Sequence, residues 1–366
     1  MKQRIYSLLI LHLCQRFLHM IFHLHQKKSE SRFRPPLFSN ESLSASLIVG
    51  DAFRLGRAAG LGGERQHDQG GGSLGRTLDL EYGYGEQVTV TPRGYLGNRY
   101  GMVGMAAVVD GYPLYFDGVN ETGLAVAALN FPLSACYAPA DTAGATVAVH
   151  ELIPTLLGRC GSVDQAVSLL RGIVLCDRPF SDRYPTARLH WIVADAGRCV
   201  VVESTEDGLH IYENPARVLT NEPPFPHQLT HLSHFGHLSP APPDGWQDSV
   251  SRGGGTVGLP GDCTAPARFV RGAYGAAHAA PVGDAVAQVF RLMAAVAVPA
   301  GWVRTEDGRS VYTRYTACMD LRQHAYVYNV YGCHRLRGVA LRPAVLDKAE
   351  LTTYPLPEQE DIWWQN

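Results

Sequence analysis

An arginine and an aspartate stand three positions apart in Gly75-Arg76-Thr77-Leu78-Asp79-Leu80-Glu81-Tyr82. In extended chain, residues of odd separation face opposite sides, so Arg76 and Asp79 serve one polar site only where the chain bends between them. The same two charges also read as a surface salt bridge beside a hairpin. Three downstream residues could join such a site. Asn130 ends an apolar run, where a buried amide needs hydrogen-bond partners. Asn221 precedes Glu222-Pro223-Pro224, a place where asparagine also simply begins a turn. Arg268 falls near the start of a helical pattern, where it could equally be solvated.

These residues need a frame. The apolar strand around Arg76 ends before a glycine-rich turn, after which 87–91 reads as the next strand; Met102–Val109, 112–116 and 123–131 follow as further strands, with turns at Asp110-Gly111 and Asn120-Glu121-Thr122-Gly123. The pattern then turns helical over 147–159 and 162–171, with Ser162 as cap and Asp164 in the first turn. Strand character returns at Leu189–Ala194, 199–203 and 209–212, helix at 265–277 and 282–297, and strand at 311–320 and 325–331. Strand runs alternating with helix pairs give an α+β protein with layered sheets and helices outside.

The chain has 366 residues, 46% apolar and 18% charged, with a formal charge of -2, so nothing in it calls for nucleic acid. The charge is uneven: residues 1–73 carry +5 and the remainder -7. Eight cysteines are scattered without a Cys-x-x-Cys pair or zinc spacing, which favours a reduced interior and the cytoplasm. The start carries Lys2, Arg4 and a short apolar run, as an export signal does. His12, Arg16, His19 and His23 interrupt it, no small-residue cleavage site follows, and it is too polar to span a membrane. His19, His23 and His25 have no carboxylate or cysteine to complete a metal site. Residues 29–46 are polar and proline-containing, as a linker is, and 60–72 form a glycine-rich run without the Gly-Lys-Ser/Thr ending of a phosphate loop. Residues 1–72 therefore stand apart from a domain at 73–366.

Within 73–366, five ordered stretches resemble the choloylglycine hydrolase family of bile salt hydrolases and penicillin V acylases. They are Gly75 to Tyr82; Val90-Thr91-Pro92-Arg93-Gly94-Tyr95; Gly123-Leu124 through Leu129-Asn130-Phe131-Pro132; Leu219-Thr220-Asn221-Glu222-Pro223; and Gly258-Leu259-Pro260-Gly261-Asp262 through Arg268 to Arg271. The resemblance implies the αββα four-layer sandwich of N-terminal nucleophile hydrolases and cleavage of a linear amide by an N-terminal cysteine whose own amine serves as base. It places Arg76 beside the thiol, Asp79 on the α-amino group, Asn221 and Asn130 at the oxyanion, and Arg268 as nearby positive charge. Phe131 and Tyr137 become candidates to line an apolar steroid cleft, or else pack in the core. The implied reaction is removal of glycine or taurine from a conjugated bile acid, with penicillin V cleavage as the alternative. No cofactor or metal is required, and the family implies a homo-oligomer, commonly a tetramer.

The N-terminus departs from this pattern. Counting back from Arg76 to the family's nucleophile reaches Ala59-Gly60-Leu61, and no Cys, Ser or Thr occurs from Ile48 to Gly72. The nucleophile and the first strand are missing or replaced. Either a reading-frame shift just before Gly71 has replaced the true start, or the chain has lost catalysis and keeps its pocket for binding bile acid.

Overall fold

The computed structural model describes residues 72–366 except 248, 281 and 282, and the backbone of 43–50. The signal-like start, the three histidines, Cys14 and the glycine run up to Gly71 lie outside the described residues.

Strand Gly72–Leu80 is the pivot of the fold. It is buried along its whole length, and two glycines and alternating side chains let it pack on both faces. A Cβ on Gly75 would come within 2.6 Å of Val289 Cγ1 and 2.8 Å of Met293 Sδ, so the bare backbone admits helix Ala285–Ala294 on that side. Arg76 on the opposite side reaches main-chain oxygens of a second sheet.

Among the described residues, seven antiparallel strands form the first sheet. Its order is Val218–Thr220, Leu43–Gly50, Gly72–Leu80, Ser310–Asp320, Ala325–Val330 and Cys333–Ala340, with Val303–Arg304 added to Ser310–Asp320. Leu43–Gly50 is thus a strand although 29–46 reads as a linker, and it occupies the slot between Gly72–Leu80 and Val218–Thr220, with Ala45 opposite both Thr77 and Thr220. Among the described residues the second sheet has nine strands and is also antiparallel. Ala125–Asn130 runs near its middle, between Leu189–Ala194 and Asp117–Asn120.

Helices Ala265–His278 and Ala285–Ala294 cover the first sheet, and Leu152–Arg159 with Val163–Leu170 cover the second. The result is helix, sheet, sheet, helix. Leu74, Leu78, Phe116, Val126, Trp191 and Met319 belong to the one continuous core, each fully buried. Burial of each such side chain contributes about 1.5–3 kcal/mol.

The helix starts follow local chemistry. Ser162 accepts from Gln165 N–H as the sequence predicts, and Thr264 and Asp284 cap the two helices on the first sheet in the same way. The helix expected from residue 147 begins instead at Leu152, after strand Thr146–Ala148 and one tight turn. Pro154 explains the shift, since proline is tolerated in a first helical turn and not deeper. Helix Phe225–Ser233 was not legible, because Pro224 and Pro226 at its start read as loop. No described helix is long and apolar enough to cross a membrane.

Candidate active site

Strand Gly72–Leu80 stays straight, so Arg76 and Asp79 do not share a face. Its register with both neighbours is continuous on its own side, and the irregularity opposite lies in Ser310–Asp320 between Thr313 and Tyr315. The surface ion-pair reading also fails, because both side chains are fully buried. Each instead anchors its own network.

Asp79 faces the helix layer. Its Oδ1 accepts from Thr313 Oγ1 at 2.5 Å, and its Oδ2 accepts from Arg268 Nη1 at 3.1 Å and from Thr77 Oγ1 at 3.4 Å. Arg268 comes from the first half of helix Ala265–His278, fully buried, and its Nη2 donates to Asn221 Oδ1 at 2.9 Å. Asn221 Nδ2 in turn donates to the Asn130 carbonyl at 2.9 Å. Four residues spread over 190 positions of sequence, 79 to 268, therefore form one chain of bonds from the first sheet to the second.

Burial dominates the charges here. It raises the Asp79 carboxyl to about 6 against the opposing pull of Arg268, Thr313 and Arg76. It lowers Arg268 from the usual arginine value even though Asp79 favours its charged form. This is the behaviour of a dry ion pair, in which desolvation exceeds the mutual attraction.

Arg76 faces the second sheet. Its Nη1 donates to Asp117 Oδ2 at 2.5 Å and to Phe116 O at 2.9 Å, and Nη2 donates to Ala128 O at 3.0 Å. Tyr315 OH and Tyr326 OH complete the Asp117 carboxylate at 2.5 and 2.6 Å. For Arg76, desolvation is the largest influence, yet Tyr315 and Asp117 together leave its pKa raised. Tyr315 and Tyr326 are held well above the usual phenol range, first by burial. The two networks converge on one strand, at the carbonyls of Ala128 and Asn130.

The segments flanking the amides are braced. Gln228 Nε2 donates to Asn221 O and Pro223 O, each at 2.6 Å, and its Oε1 accepts from Thr220. Phe131 is buried and stacks on His190 with centroids 4.3 Å apart. His190 Nδ1 lies 3.0 Å from Glu203 Oε1, which also accepts the Phe225 N–H. Tyr137 is half-buried, and its hydroxyl both accepts from Leu189 N–H and donates to Leu189 O. Both aromatics thus pack against strand Leu189–Ala194 and its neighbours.

The structure brings Asp79, Arg268, Asn221 and Asn130 together and sets Arg76 one layer inward. Thr77, Thr313, Asp117 and Gln228 escaped sequence reading. Only a polar residue in or beside an apolar run marks Thr77, Thr313 and Asp117, a weak signal shared with many satisfied core groups, and Gln228 lies in the helix that the sequence did not show. Among the described residues, no three His, Cys, Asp or Glu side chains cluster as a metal site.

The chain is similar to known proteins over most of its length. The family model for linear amide C–N hydrolases of the choloylglycine hydrolase family matches residues 65–354. The bile salt hydrolase/transferase of Lactiplantibacillus plantarum is 37% identical over 311 residues, covering 80% of this chain and 96% of that protein. A crystal structure of a variant conjugated bile acid hydrolase from Clostridium perfringens superposes with a TM-score of 0.77 at 29% identity, covering 81% of this chain and 97% of that one. Penicillin V acylase from Agrobacterium tumefaciens shares the fold, with a TM-score of 0.64 at 21% identity over 85% of this chain and 91% of that one. With its αββα layers and this match over most of its length, the chain belongs to the choloylglycine hydrolase family of linear amide hydrolases.

Proposed function

We propose that the body of this chain is built to hold a conjugated bile acid and to open its amide, releasing glycine or taurine. The observation that carries this reading is the unbroken link Asp79–Arg268–Asn221–Asn130 beside strand Leu43–Gly50. The named activities of the relatives at 37% and 33% identity support the bile salt over penicillin V. In this reading Asn221 and Asn130 stabilise the tetrahedral oxyanion, Asp79 orients the attacking residue's amine, and Arg268 keeps that carboxylate in place. Arg76 supplies positive charge beside the nucleophile, and Phe131 and Tyr137 shape the steroid cleft from behind.

We further propose that the polypeptide as encoded binds without turnover. No cysteine lies between Cys14 and Cys136, and the strand flanking Gly72–Leu80 carries Leu43, Ser44, Ala45 and Ser46 at its start. The thiolate that this chemistry needs is not supplied there. The test is glycine and taurine release from glycocholate and taurocholate by the purified full-length chain, with calorimetric binding of the same compounds in parallel. Binding without release is the expected result. Detectable release overturns the inactivity, and absence of both overturns the bile-acid reading. Assembly into a homo-oligomer, with a tetramer as the family-based expectation, is checked by light scattering of the same sample.

A further inference from the structure

The loop after Asn130 and the segment after Asn221 come from different parts of the chain, yet one carboxylate joins them. Residues 131–135 form a single helical turn, closed by Ala135 N–H on Phe131 O at 3.1 Å. The first N–H groups of such a turn point outward without partners of their own. Glu222, half-buried and next to Asn221, fills that position. Its Oε1 accepts from Leu133 N–H and Ser134 N–H, both at 2.9 Å, and its Oε2 accepts from Ser134 Oγ at 2.9 Å. The carboxylate thus caps that single turn from 88 residues away, as a capping side chain does at a helix start.

The surroundings make the cap the adjustable element. The loop ends are fixed independently: Phe131 N–H donates to Arg188 O at 2.8 Å, and Cys136 exchanges bonds with Ser204. On the other side, Asn221 and Pro223 are held by Gln228 and the Phe225 N–H by Glu203. Between these fixed points, Leu133 and Ser134 are tied across to the Asn221 segment through Glu222, while the Leu133 side chain is 84% exposed. The tie runs parallel to the Asn221–Asn130 bond, one residue further along the Asn221 segment.

We propose that Glu222 is a positioning residue: its carboxylate clamps the 131–135 turn to the Asn221 segment and so fixes the two amides, Asn130 and Asn221, at their mutual distance. The inference deepens the proposed amide-hydrolase reading and rests on it for its functional meaning. Glu222 touches no reacting atom. It acts through the loop that carries Asn130 and the backbone that carries Asn221, with Leu133 held outward as an apolar lip.

The test uses the full-length chain uniformly labelled with ¹⁵N, as parent, Glu222→Ala and Glu222→Gln. Hydrogen exchange is followed at the main-chain amides of Leu133 and Ser134, at the Asn221 side-chain amide, and at strand Met102–Val109 as a remote control. Glu222→Ala is expected to speed exchange about tenfold at Leu133 and Ser134 and severalfold at the Asn221 side chain, with the control strand unchanged. Glu222→Gln, which keeps an acceptor oxygen, is expected to return both towards the parent. Unchanged exchange at Leu133 and Ser134 overturns the clamp. A rise there with Asn221 unaffected, or a rise that includes the control strand, overturns the positioning role. Should Glu222→Ala not fold, Ser134→Ala removes one of the three donors and is judged by the same three readings, with a smaller rise expected. Glycocholate affinity is measured separately, and a parent that binds none sinks the bile-acid reading while the exchange result still decides the clamp.

Discussion

Asp79 Oδ2 and Arg268 Nη1 meet at 3.1 Å with neither side chain reaching solvent, and burial outweighs their attraction for both groups. A carboxyl raised from 3.8 to about 6 holds its proton in the folded chain after the unfolded chain has lost it. The folded state therefore binds more protons in that window, and the stability contributed by Asp79 falls as pH rises from about 4 to about 6, then levels. Asp79→Asn should remove this slope. Unfolding free energies from urea titrations across that range should show the parent's advantage over the variant shrinking by on the order of 3 kcal/mol, and a pH-independent difference would contradict the assignment.

The Arg76–Asp117 pair braces the two sheets, with Tyr315 and Tyr326 completing the carboxylate. Arg76→Met should cost about 3–5 kcal/mol, because it strands a fully buried carboxylate. Tyr326→Phe leaves the charge pair and should cost about 1–3 kcal/mol. Chemical denaturation ranks the two, and the reverse order would argue that the arginine adds little to the brace.

Gly75 is where the helix layer lies against the first sheet. A methyl group there would sit 2.6 Å from Val289 Cγ1 and 2.8 Å from Met293 Sδ. Gly75→Ala should destabilise by about 1–3 kcal/mol, and Met293→Ala in the same chain should recover part of the loss by opening room. Additive losses in the double variant would argue against this contact.

The coding DNA for residues 40–80 offers a direct check on the N-terminus. If another frame reads Met-Cys at the family's nucleophile position and continues into an alternating strand, the frame-restored protein should hydrolyse glycocholate. In that protein Asn221→Ala should lower the release rate about 100-fold to 1,000-fold while leaving substrate binding within a few fold. A loss confined to KM would remove Asn221 from the oxyanion role.

Much of the molecule follows from sequence alone. Alternating apolar strands, their Asp-Gly and Asn-Glu-Thr-Gly turns and the Ser162 cap are set by contacts within a few residues, which local chemistry dictates. The resemblance to an amide hydrolase was legible for the same reason, since the stretches around Arg76, Asn130, Asn221 and Arg268 keep their order and residue types.

Tertiary structure decided the rest. Arg76 and Asp79 lie three positions apart, yet a straight strand sends one between the sheets and the other under a helix. Thr313 and Asp117 became partners of these charges only when Ser310–Asp320 and Asp117–Asn120 were brought alongside. Glu222 carries no signal of its own in the sequence, and its work as a cap emerges only beside Leu133 and Ser134. The strand slot taken by Leu43–Gly50 was likewise invisible in a polar, proline-containing stretch. The physical reason is common to all four. A buried polar group must find partners, and which distant residue supplies them depends on strand register and layer packing, which no local pattern encodes.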